Sequence, residues 1–346
     1  MKIDPQKAIL TLIAATILAS LFLIGPSLPQ AGKKVVVDMK TGRPLGSLYL
    51  TEFVGNLTDK GYVVVVARGG INSSVLEGAS ALILPKIRDG SGNYTQAEID
   101  AIVAWMRTGS KFLWVGTDSD YLSSYLATTG SDLIQDQPNR ILAAIGAHIR
   151  FDLCSVESPT WNIGAAPYRN LSNITNTADP DAAKILTGIT HPVMFHGPAA
   201  IYFVTDQGTA VTYENLPKPG LFSSKPAVFW VFKSSPDSTI VDGSPAHPPV
   251  FFQAGQVGST VEMAAEKYIF GSSKVIATVE SPVGDYAIWY PAYRGVTLDG
   301  WKAILNGIEW GVTPESEPIP MGYYIVGGAA VIVVAAGAYF FFIRKK

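Results

Sequence analysis

Short β-branched runs alternate with amphipathic segments in the first part of the chain. The strand candidates are 34–38, 62–67, 81–84 and 111–115. Between the first two, apolar positions such as Leu50, Phe53 and Leu57 recur at helical spacing. Gly61 follows where helices favour a glycine. This alternation of strand and helix patterns predicts a parallel sheet flanked by helices.

A second helix is marked more strongly. Thr95 and Glu98 have the spacing of a capping box, in which each residue satisfies a free backbone N–H group of the other. Buried-face positions follow at helical spacing, and Gly109 ends the helix before the next strand begins at Lys111. Because the strands themselves are continuously apolar, we expect the sheet to be covered on both faces.

The amino-acid composition changes in the middle of the chain, where loops rich in Pro, Asn, Ser and Thr separate strand candidates that contain aromatic residues. The strand candidates there are 200–205, 209–214, 227–233 and 250–254. This pattern predicts antiparallel β structure, as a second lobe or as a large insertion. A strand at 274–280 and a helix at 299–310 then return to the earlier pattern.

Two long apolar runs lie near the ends of the chain, at 8–25 and 322–343. They explain a mean hydropathy of +0.23 and a charged fraction of only 16%. Each run is close to the length that a membrane-spanning helix needs. Their basic flanks predict cytoplasmic ends and an extracytoplasmic body, with membrane localisation. The first run also fits a cleaved signal peptide.

The predicted fold class is therefore α/β, a Rossmann-like parallel sheet flanked by helices, with a β-rich second lobe and terminal transmembrane helices. The predicted segments are a signal peptide or anchor at 1–32, an α/β domain at 33–150, a β-rich lobe or insertion at 151–273, the closing strand and helix at 274–312, a linker at 313–321, a transmembrane helix at 322–343 and a basic cytoplasmic tail at 344–346.

Metal and cofactor chemistry has little support in the sequence. A single cysteine, Cys154, excludes an intramolecular disulfide and a cysteine-based zinc site. The four histidines are scattered, without the spacing of a zinc hydrolase. No Walker A loop or dinucleotide-binding glycine pattern is present. We therefore predict no metal and no cofactor. The slight excess of 28 acidic over 26 basic residues also argues against a nucleic-acid partner.

Polar residues at the carboxyl ends of the predicted strands are the candidates for a ligand pocket. In an open parallel sheet, ligands bind beyond these ends. The candidates are Asp38, Arg68, Asp118 and Asp120. The alternative is that these residues belong to ordinary strand-end loops, with a helix cap at Asp118 or Ser119.

Five Asn-x-Ser/Thr tripeptides lie in the segment predicted to be exported. Their asparagines are Asn56, Asn72, Asn93, Asn170 and Asn173. We predict glycosylation at some of them. Asn93, Asn170 and Asn173 are the strongest candidates because they fall in predicted loops.

Segments 34–38, 81–85, 94–109 and 111–116 resemble a type 1 glutamine-amidotransferase-like domain. More narrowly, they are similar to its non-catalytic versions in the DUF4350 family, in the intraflagellar-transport GIFT domain and in the membrane-anchored subunit of oligosaccharyltransferase. Catalytic members carry a nucleophilic cysteine on the turn after a sheet strand, whereas this chain has Thr117 to Asp120 there. The resemblance therefore implies an amidotransferase-like fold without amidotransferase activity.

We predict that the chain is not an enzyme but a binding or scaffold subunit of a membrane complex in protein glycosylation or transport. The expected partner is a membrane protein, contacted through the last apolar span and the body. The alternatives are a glycan or small-ligand receptor or an enzyme at the strand ends, and a cell-envelope structural glycoprotein. An exposed aromatic patch beside Asp38, Arg68 and Asp118 favours the receptor, and a packed strand end favours the scaffold.

Overall fold

The computed structural model describes residues 32–42, 47–88, 90–122, 135–217, 227–283 and 288–314. The helices in these residues are α1 (Ser47–Asp59), α2 (Ser73–Leu76), α3 (Gln96–Met106), α4 (Asp136–Ala144), α5 (Pro180–Ile185) and α6 (Gly300–Val312). The strands are β1 (Lys34–Asp38), β2 (Val63–Ala67), β3 (Ala79–Leu84), β4 (Phe112–Gly116), β5 (Ile149–Phe151), β6 (Ser155–Glu157), β7 (Asn162–Ile163), β8 (Ala166–Ser172), β9 (Ile174–Thr175), β10 (Val193–His196), β11 (Ile201–Val204), β12 (Ala210–Val211), β13 (Ala227–Lys233), β14 (Thr239–Val241), β15 (Val261–Ile269), β16 (Ser273–Thr278), β17 (Ala292–Tyr293) and β18 (Val296–Thr297).

The first part of the chain forms a parallel ladder in the order β2-β1-β3-β4, which β16 extends in the same direction. The strands predicted at 34–38, 62–67, 81–84 and 111–115 are confirmed as β1 to β4, with bounds that differ by at most two residues. The interior strands β3 and β4 are buried almost throughout. This burial explains why their sequences are continuously apolar instead of alternating.

The local helix signals are also confirmed. In α3, the Thr95 hydroxyl accepts a hydrogen bond from the Glu98 N–H group at 3.2 Å, and the Thr95 N–H group donates to the Glu98 carboxylate at 2.9 Å. Gly61 and Gly109 follow α1 and α3 with positive φ values of 85° and 80°. A residue with a side chain is strained in this left-handed conformation, and glycine is not.

The prediction that the whole sheet is parallel and that the β-rich segment forms a separate lobe is wrong. The sheet has eleven strands and is mixed, because β15 runs antiparallel to β16 and pairs in turn with β11 and β13. Aromatic residues of the middle segment, such as Phe203 and Phe229, pack in the same hydrophobic core as Val36 and Phe112. The middle segment therefore extends the sheet, since its apolar side chains are buried together with those of the parallel part.

The strand predicted at 250–254 is a loop. Its backbone N–H groups turn toward the buried Asp152 carboxylate, which accepts hydrogen bonds from Val250 at 2.6 Å, from Phe251 at 3.2 Å and from Phe252 at 2.8 Å. These donors are thereby withdrawn from strand pairing. Charge-assisted hydrogen bonds of this kind are stronger than neutral ones, so the carboxylate determines the conformation of this apolar run.

The last described helix, α6, lies directly against β4. A Cβ atom added to Gly311 would lie 2.2 Å from the Phe112 ring, and one added to Gly307 would lie 2.6 Å from the Trp114 ring. Glycine is therefore required at both positions for this close approach. The packing of α6 on β4 and β16 explains the predicted return of the α/β pattern near the end of the chain.

The predicted terminal transmembrane helices are not supported. In the part of the chain that the structure describes, no helix is sufficiently long and apolar to cross a membrane. The longest helices there, α1 and α6, have 13 residues each, whereas a span needs about 20. The predicted spans at 8–25 and 322–343 lie outside the described residues. The fold class is accordingly corrected to α/β with a mixed sheet, and the membrane localisation with an extracytoplasmic body is withdrawn.

Candidate functional site

Side chains from three neighbouring parallel strands meet just beyond the carboxyl ends of those strands. Lys86, Asp118 and Glu280 each lie two residues after the end of β3, β4 and β16, respectively. Because these strands are adjacent and parallel, the three positions lie side by side. The Lys86 ammonium group contacts Asp118 Oδ2 and lies 3.8 Å from Glu280 Oε1. These three residues are the strand-end cluster.

The strand-end cluster is almost completely shielded from solvent. The side chains of Lys86, Asp118 and Glu280 are 6%, 8% and 0% exposed. Glu280 accepts hydrogen bonds from the N–H groups of His196 and Ser281, each at 2.9 Å. Burial raises the pKa of the Glu280 carboxyl well above its usual range, although the charge of Lys86 acts in the opposite direction. The three side chains therefore form a packed ionic network.

Further polar groups surround this network. Gln135 at the start of α4 donates a hydrogen bond from Nε2 to the Asp118 carbonyl at 2.8 Å. Within the described residues, three buried oxygens beside it have no hydrogen-bond partner. They are Thr117 Oγ1, Asp120 Oδ1 and Gln135 Oε1. Buried polar atoms are rarely left unsatisfied. Each of these oxygens has the capacity to accept a hydrogen bond from a small polar molecule or water.

Asp120, another of the predicted pocket residues, is buried and has a perturbed pKa. Its Oδ2 atom accepts hydrogen bonds from the N–H groups of Gly243 at 2.6 Å and Ser244 at 3.0 Å. Burial nevertheless raises the pKa of this carboxyl to about 6, because the two hydrogen bonds only partly offset the loss of solvation. Asp120 can therefore bind or release a proton near neutral pH.

Asp38 and Arg68 have different surroundings. Asp38 is fully buried at the end of β1 and accepts a hydrogen bond from the Lys40 N–H group at 3.2 Å. Arg68, one residue after β2, is exposed. The Lys40 ammonium group instead pairs with Glu98 at 2.8 Å, so Glu98 serves both the helix cap and a buried ion pair. Of the four predicted pocket residues, only Asp118 belongs to the strand-end cluster.

Sequence reasoning missed Glu280 as a site residue. The residue stands at the end of a predicted strand, but it is separated from Asp118 by more than 150 positions in the sequence. The β16–β4 pairing, which brings the two carboxylates together, is a long-range feature. A signal was available nonetheless, because a charged residue directly after a β-branched strand is a strand-end candidate in a parallel sheet.

No nucleophile is poised at the position where the resemblance places one. The residues that follow β4 are Thr117 and Asp118. Cys154 lies between β5 and β6 and is fully buried. Burial, followed by the nearby charge of Asp152, raises the pKa of the Cys154 thiol well above its usual range. A thiol in such surroundings is unreactive, because the thiolate is the nucleophilic form.

Potential metal ligands do not converge in the described ranges. No group of three or more His, Cys, Asp or Glu residues there could hold a metal ion. His148 instead joins two carboxylates, with Nδ1 2.7 Å from Glu266 Oε1 and Nε2 3.1 Å from Asp206 Oδ1. These contacts raise the pKa of His148 to about 8, the hydrogen bond to Glu266 being the largest cause. The His148 ring thus bridges the carboxylates of Glu266 and Asp206.

The predicted glycosylation of Asn170 is not compatible with the fold. Asn170 lies in β8 and not in a loop, and its side chain is completely buried. Its carboxamide accepts a hydrogen bond from the Ser158 N–H group at 3.0 Å and donates to Glu262 at 3.1 Å. A glycan on this nitrogen would need to occupy the protein interior.

The other four sequon asparagines differ in exposure. Asn56 on α1 is exposed, as is Asn173 between β8 and β9. Asn72 is also exposed and caps α2 by accepting a hydrogen bond from the Val75 N–H group at 3.0 Å. Asn93 lies in a loop and is partly buried, with its side-chain oxygen unpartnered. Modification of these four residues stays a prediction.

Two surface pockets of the described residues lie away from the strand-end cluster. One of about 510 Å³ lies beside α2 and α3, where Trp105 and Lys111 contribute to its wall. Lys111 precedes β4, so this pocket is at the amino ends of the parallel strands, opposite the strand-end cluster. The pocket has no cluster of titratable groups comparable to that of Lys86, Asp118 and Glu280.

Comparison with known proteins identifies a shared fold. No family model matches the chain, and no curated protein matches it. The solved structure described as "mmIFT52 N-terminal domain" is similar with a TM-score of 0.52 and 12% identity, covering 81% of this chain and 97% of that one. A putative ThuA-like protein from Bacteroides uniformis has a TM-score of 0.44 and 13% identity, covering 85% and 99%. At such low identity, the first likeness concerns the fold alone.

Proposed function

We propose that the chain is a non-catalytic amidotransferase-like domain that serves as a binding or scaffold subunit of a protein complex. The observation that carries this proposal is the buried ionic network at the strand ends. In an open α/β sheet, a ligand or substrate occupies the crevice beyond the strand ends. Here Lys86, Asp118 and Glu280 form a buried ionic network at those ends. A packed strand end is what we expect of a scaffold.

The chemistry of the neighbouring residues also supports a non-catalytic role. Amidotransferase catalysis needs an activated thiolate at a turn after a strand. Thr117 occupies that position, and its hydroxyl has no hydrogen-bond partner among the described residues that could act as a base. The Cys154 thiol is buried, with a raised pKa. Neither residue meets the geometric requirement for a nucleophile with an adjacent base.

Two measurements on the full chain test the proposal. Ammonia release from glutamine should stay at the level of a buffer blank for the wild type and for Cys154→Ala. Release by the wild type that Cys154→Ala abolishes would sink the proposal. In parallel, cross-linking followed by mass spectrometry in the native extract should recover a protein partner at fixed stoichiometry through size-exclusion chromatography. A chain that elutes alone at every concentration would also argue against a subunit role.

A second candidate function is the binding of a small polar ligand beside the strand-end cluster. The unpartnered oxygens of Thr117, Asp120 and Gln135 favour this alternative. Because all three are buried, the ligand would be small and would donate hydrogen bonds. Thermal unfolding in the presence of glutamine, neutral monosaccharides and ammonium tests it. A rise in melting temperature that Asp120→Ala removes would favour the receptor over the scaffold.

A further inference from the structure

Two short hairpins pack together at one surface of the molecule. The turn between β7 and β8 contains Gly164 and Ala165, with φ values of 69° and 54°. The turn between β17 and β18 contains Arg294 and Gly295, with φ values of 47° and 81°. Positive φ at both central residues is typical of a tight two-residue turn. The side chains of β8 and of both turns form the hairpin surface, which comprises Tyr168, Arg169, Tyr293 and Arg294.

Two guanidinium groups are neighbours on the hairpin surface. A Cβ atom added to Gly164 would lie 3.1 Å from Arg294 Nη1 and 3.8 Å from Arg169 Nη1. Both groups therefore border the same small volume above the Gly164 backbone. The Arg169 guanidinium also lies over the Tyr168 ring at 5.0 Å and the Tyr293 ring at 5.7 Å. Arg294 lies over the Tyr293 ring from 5.8 Å. The tyrosines thus orient both cations.

Neither cation has a counter-ion among the described residues. In the described ranges, no carboxylate forms an ion pair with Arg169 or Arg294. The Arg169 Nε atom is buried and has no hydrogen-bond partner. Two like charges held close together repel each other, and an unsatisfied buried donor is unfavourable. An oxyanion placed between the guanidinium groups would relieve their mutual repulsion, since each offers a planar fork of donors.

We propose that the hairpin surface binds an acidic segment of a protein partner through Arg169 and Arg294. Arginine and tyrosine are enriched among the residues that contribute most to protein–protein binding. Tyr168 is 37% exposed, and Trp161, whose carbonyl accepts a hydrogen bond from Leu171 of β8, is 42% exposed. These rings provide apolar contact area that a peptide uses and a free inorganic anion does not. The carboxylates of the segment pair with the two guanidinium groups.

Binding of a fluorescein-labelled hexaglutamate peptide to the full chain, followed by fluorescence anisotropy, tests the assignment. The Arg169→Gln/Arg294→Gln double variant should bind the peptide at least about tenfold more weakly than the wild type, because two charge-assisted contacts are lost. Arg107→Gln is the matched control. Arg107 also lies over an aromatic ring, that of Phe270 at 4.8 Å, but it is a single cation. This control should stay within about twofold of the wild type.

A second variant separates the loss of charge from a loss of turn stability. Arg294→Gly removes the charge and also relieves the left-handed backbone conformation, so a loss of binding in this variant cannot be attributed to a less stable turn. Equal binding by the wild type and the double variant would overturn the proposal. Displacement of the peptide by an equal concentration of inorganic phosphate would also overturn it, because the site would then take a free oxyanion without peptide contacts.

The assignment rests on the proposed function, but the two can fail separately. If cross-linking recovers a partner and the arginine variants leave its recovery and the peptide affinity unchanged, the hairpin surface is the wrong interface and the scaffold function stands. If glutamine hydrolysis depends on Cys154, the scaffold function is wrong whether or not the hexaglutamate peptide binds. Loss of both partner recovery and peptide binding in the double variant supports both proposals.

Discussion

The strand-end cluster and the hairpin surface both concentrate charge, but only the first compensates it. At the strand ends, the Lys86 cation is buried between the carboxylates of Asp118 and Glu280. At the hairpins, Arg169 and Arg294 are adjacent, and no described carboxylate pairs with them. The strand-end charges therefore contact one another within the fold, whereas the hairpin charges are the ones that we propose for a partner. Substitutions should therefore affect stability at the strand ends and binding at the hairpins.

The largest effect is expected at Lys86. Lys86→Met removes the cation and leaves two buried carboxyl groups without it. Breaking a buried ion pair by removing one partner typically costs about 3–5 kcal/mol. We expect a decrease of about this size in the free energy of unfolding, measured by urea denaturation at neutral pH.

Lys184→Met provides the matched control for this substitution. Lys184 pairs with Asp181 at 2.7 Å, but its side chain is 60% exposed. An exposed ion pair contributes at most about 1 kcal/mol. Equal losses in the two variants would mean that burial at the strand ends does not strengthen the cluster, and the comparison with the hairpin surface would lose its basis.

The elements of the parallel part could be predicted from sequence because their signals are local. The capping box of Thr95 and Glu98 and the glycine at 109 determine where α3 begins and ends within a few residues. The direction of β15 and the place of β16 beside β4 depend on pairings between distant segments, which periodicity does not contain. The mixed strand order could therefore not be predicted from the sequence, although most of the strands themselves were.

The candidate site was predictable only in part for the same reason. Asp118 follows a recognisable strand, and its position at the sheet edge follows from the parallel pattern. Glu280 joins it through long-range pairing. The loop at 250–252 was predicted as a strand because its apolar residues carry no sign of the Asp152 carboxylate to which their N–H groups turn. A buried charge can thus override a local preference.

The next largest effect concerns pH and Asp120. Its pKa is raised from 3.8 in the unfolded chain to about 6 in the fold. As pH rises from about 4 to about 6, the unfolded chain releases this proton first, so stability falls over that interval. The expected loss is about 2 kcal/mol relative to Asp120→Asn, which cannot ionise. Urea unfolding of both proteins at several pH values measures it. A constant difference would contradict the raised pKa.

A smaller pH effect is expected from His148. The main cause here is a hydrogen bond to a carboxylate, whereas for Asp120 it is burial. The pKa of His148 is raised from 6.5 to about 8 by Glu266 and Asp206. The protonated ring therefore stabilises the fold fully below about pH 6.5, and this contribution is lost as pH rises through about 8. Because the Asp206 side chain is 42% exposed, solvent screens part of the interaction, and we expect about 1 kcal/mol. The difference in thermal stability between wild type and His148→Gln should shrink from pH 6 to pH 9, after allowance for effects common to both proteins.

The smallest effect on stability is expected at the hairpin surface, and measuring it tests whether the two arginines are needed for folding. Arg169→Gln and Arg294→Gln break no ion pair with a described carboxylate, and each replaces a cation that lies beside another. Loss of the cation–π contacts and relief of the repulsion between the two guanidinium groups act in opposite directions. The free energy of unfolding should therefore change by less than about 0.5 kcal/mol in either variant. A loss of several kcal/mol, as at Lys86, would show that the two arginines hold the hairpins together, and their lack of a counter-ion would then no longer point to a partner.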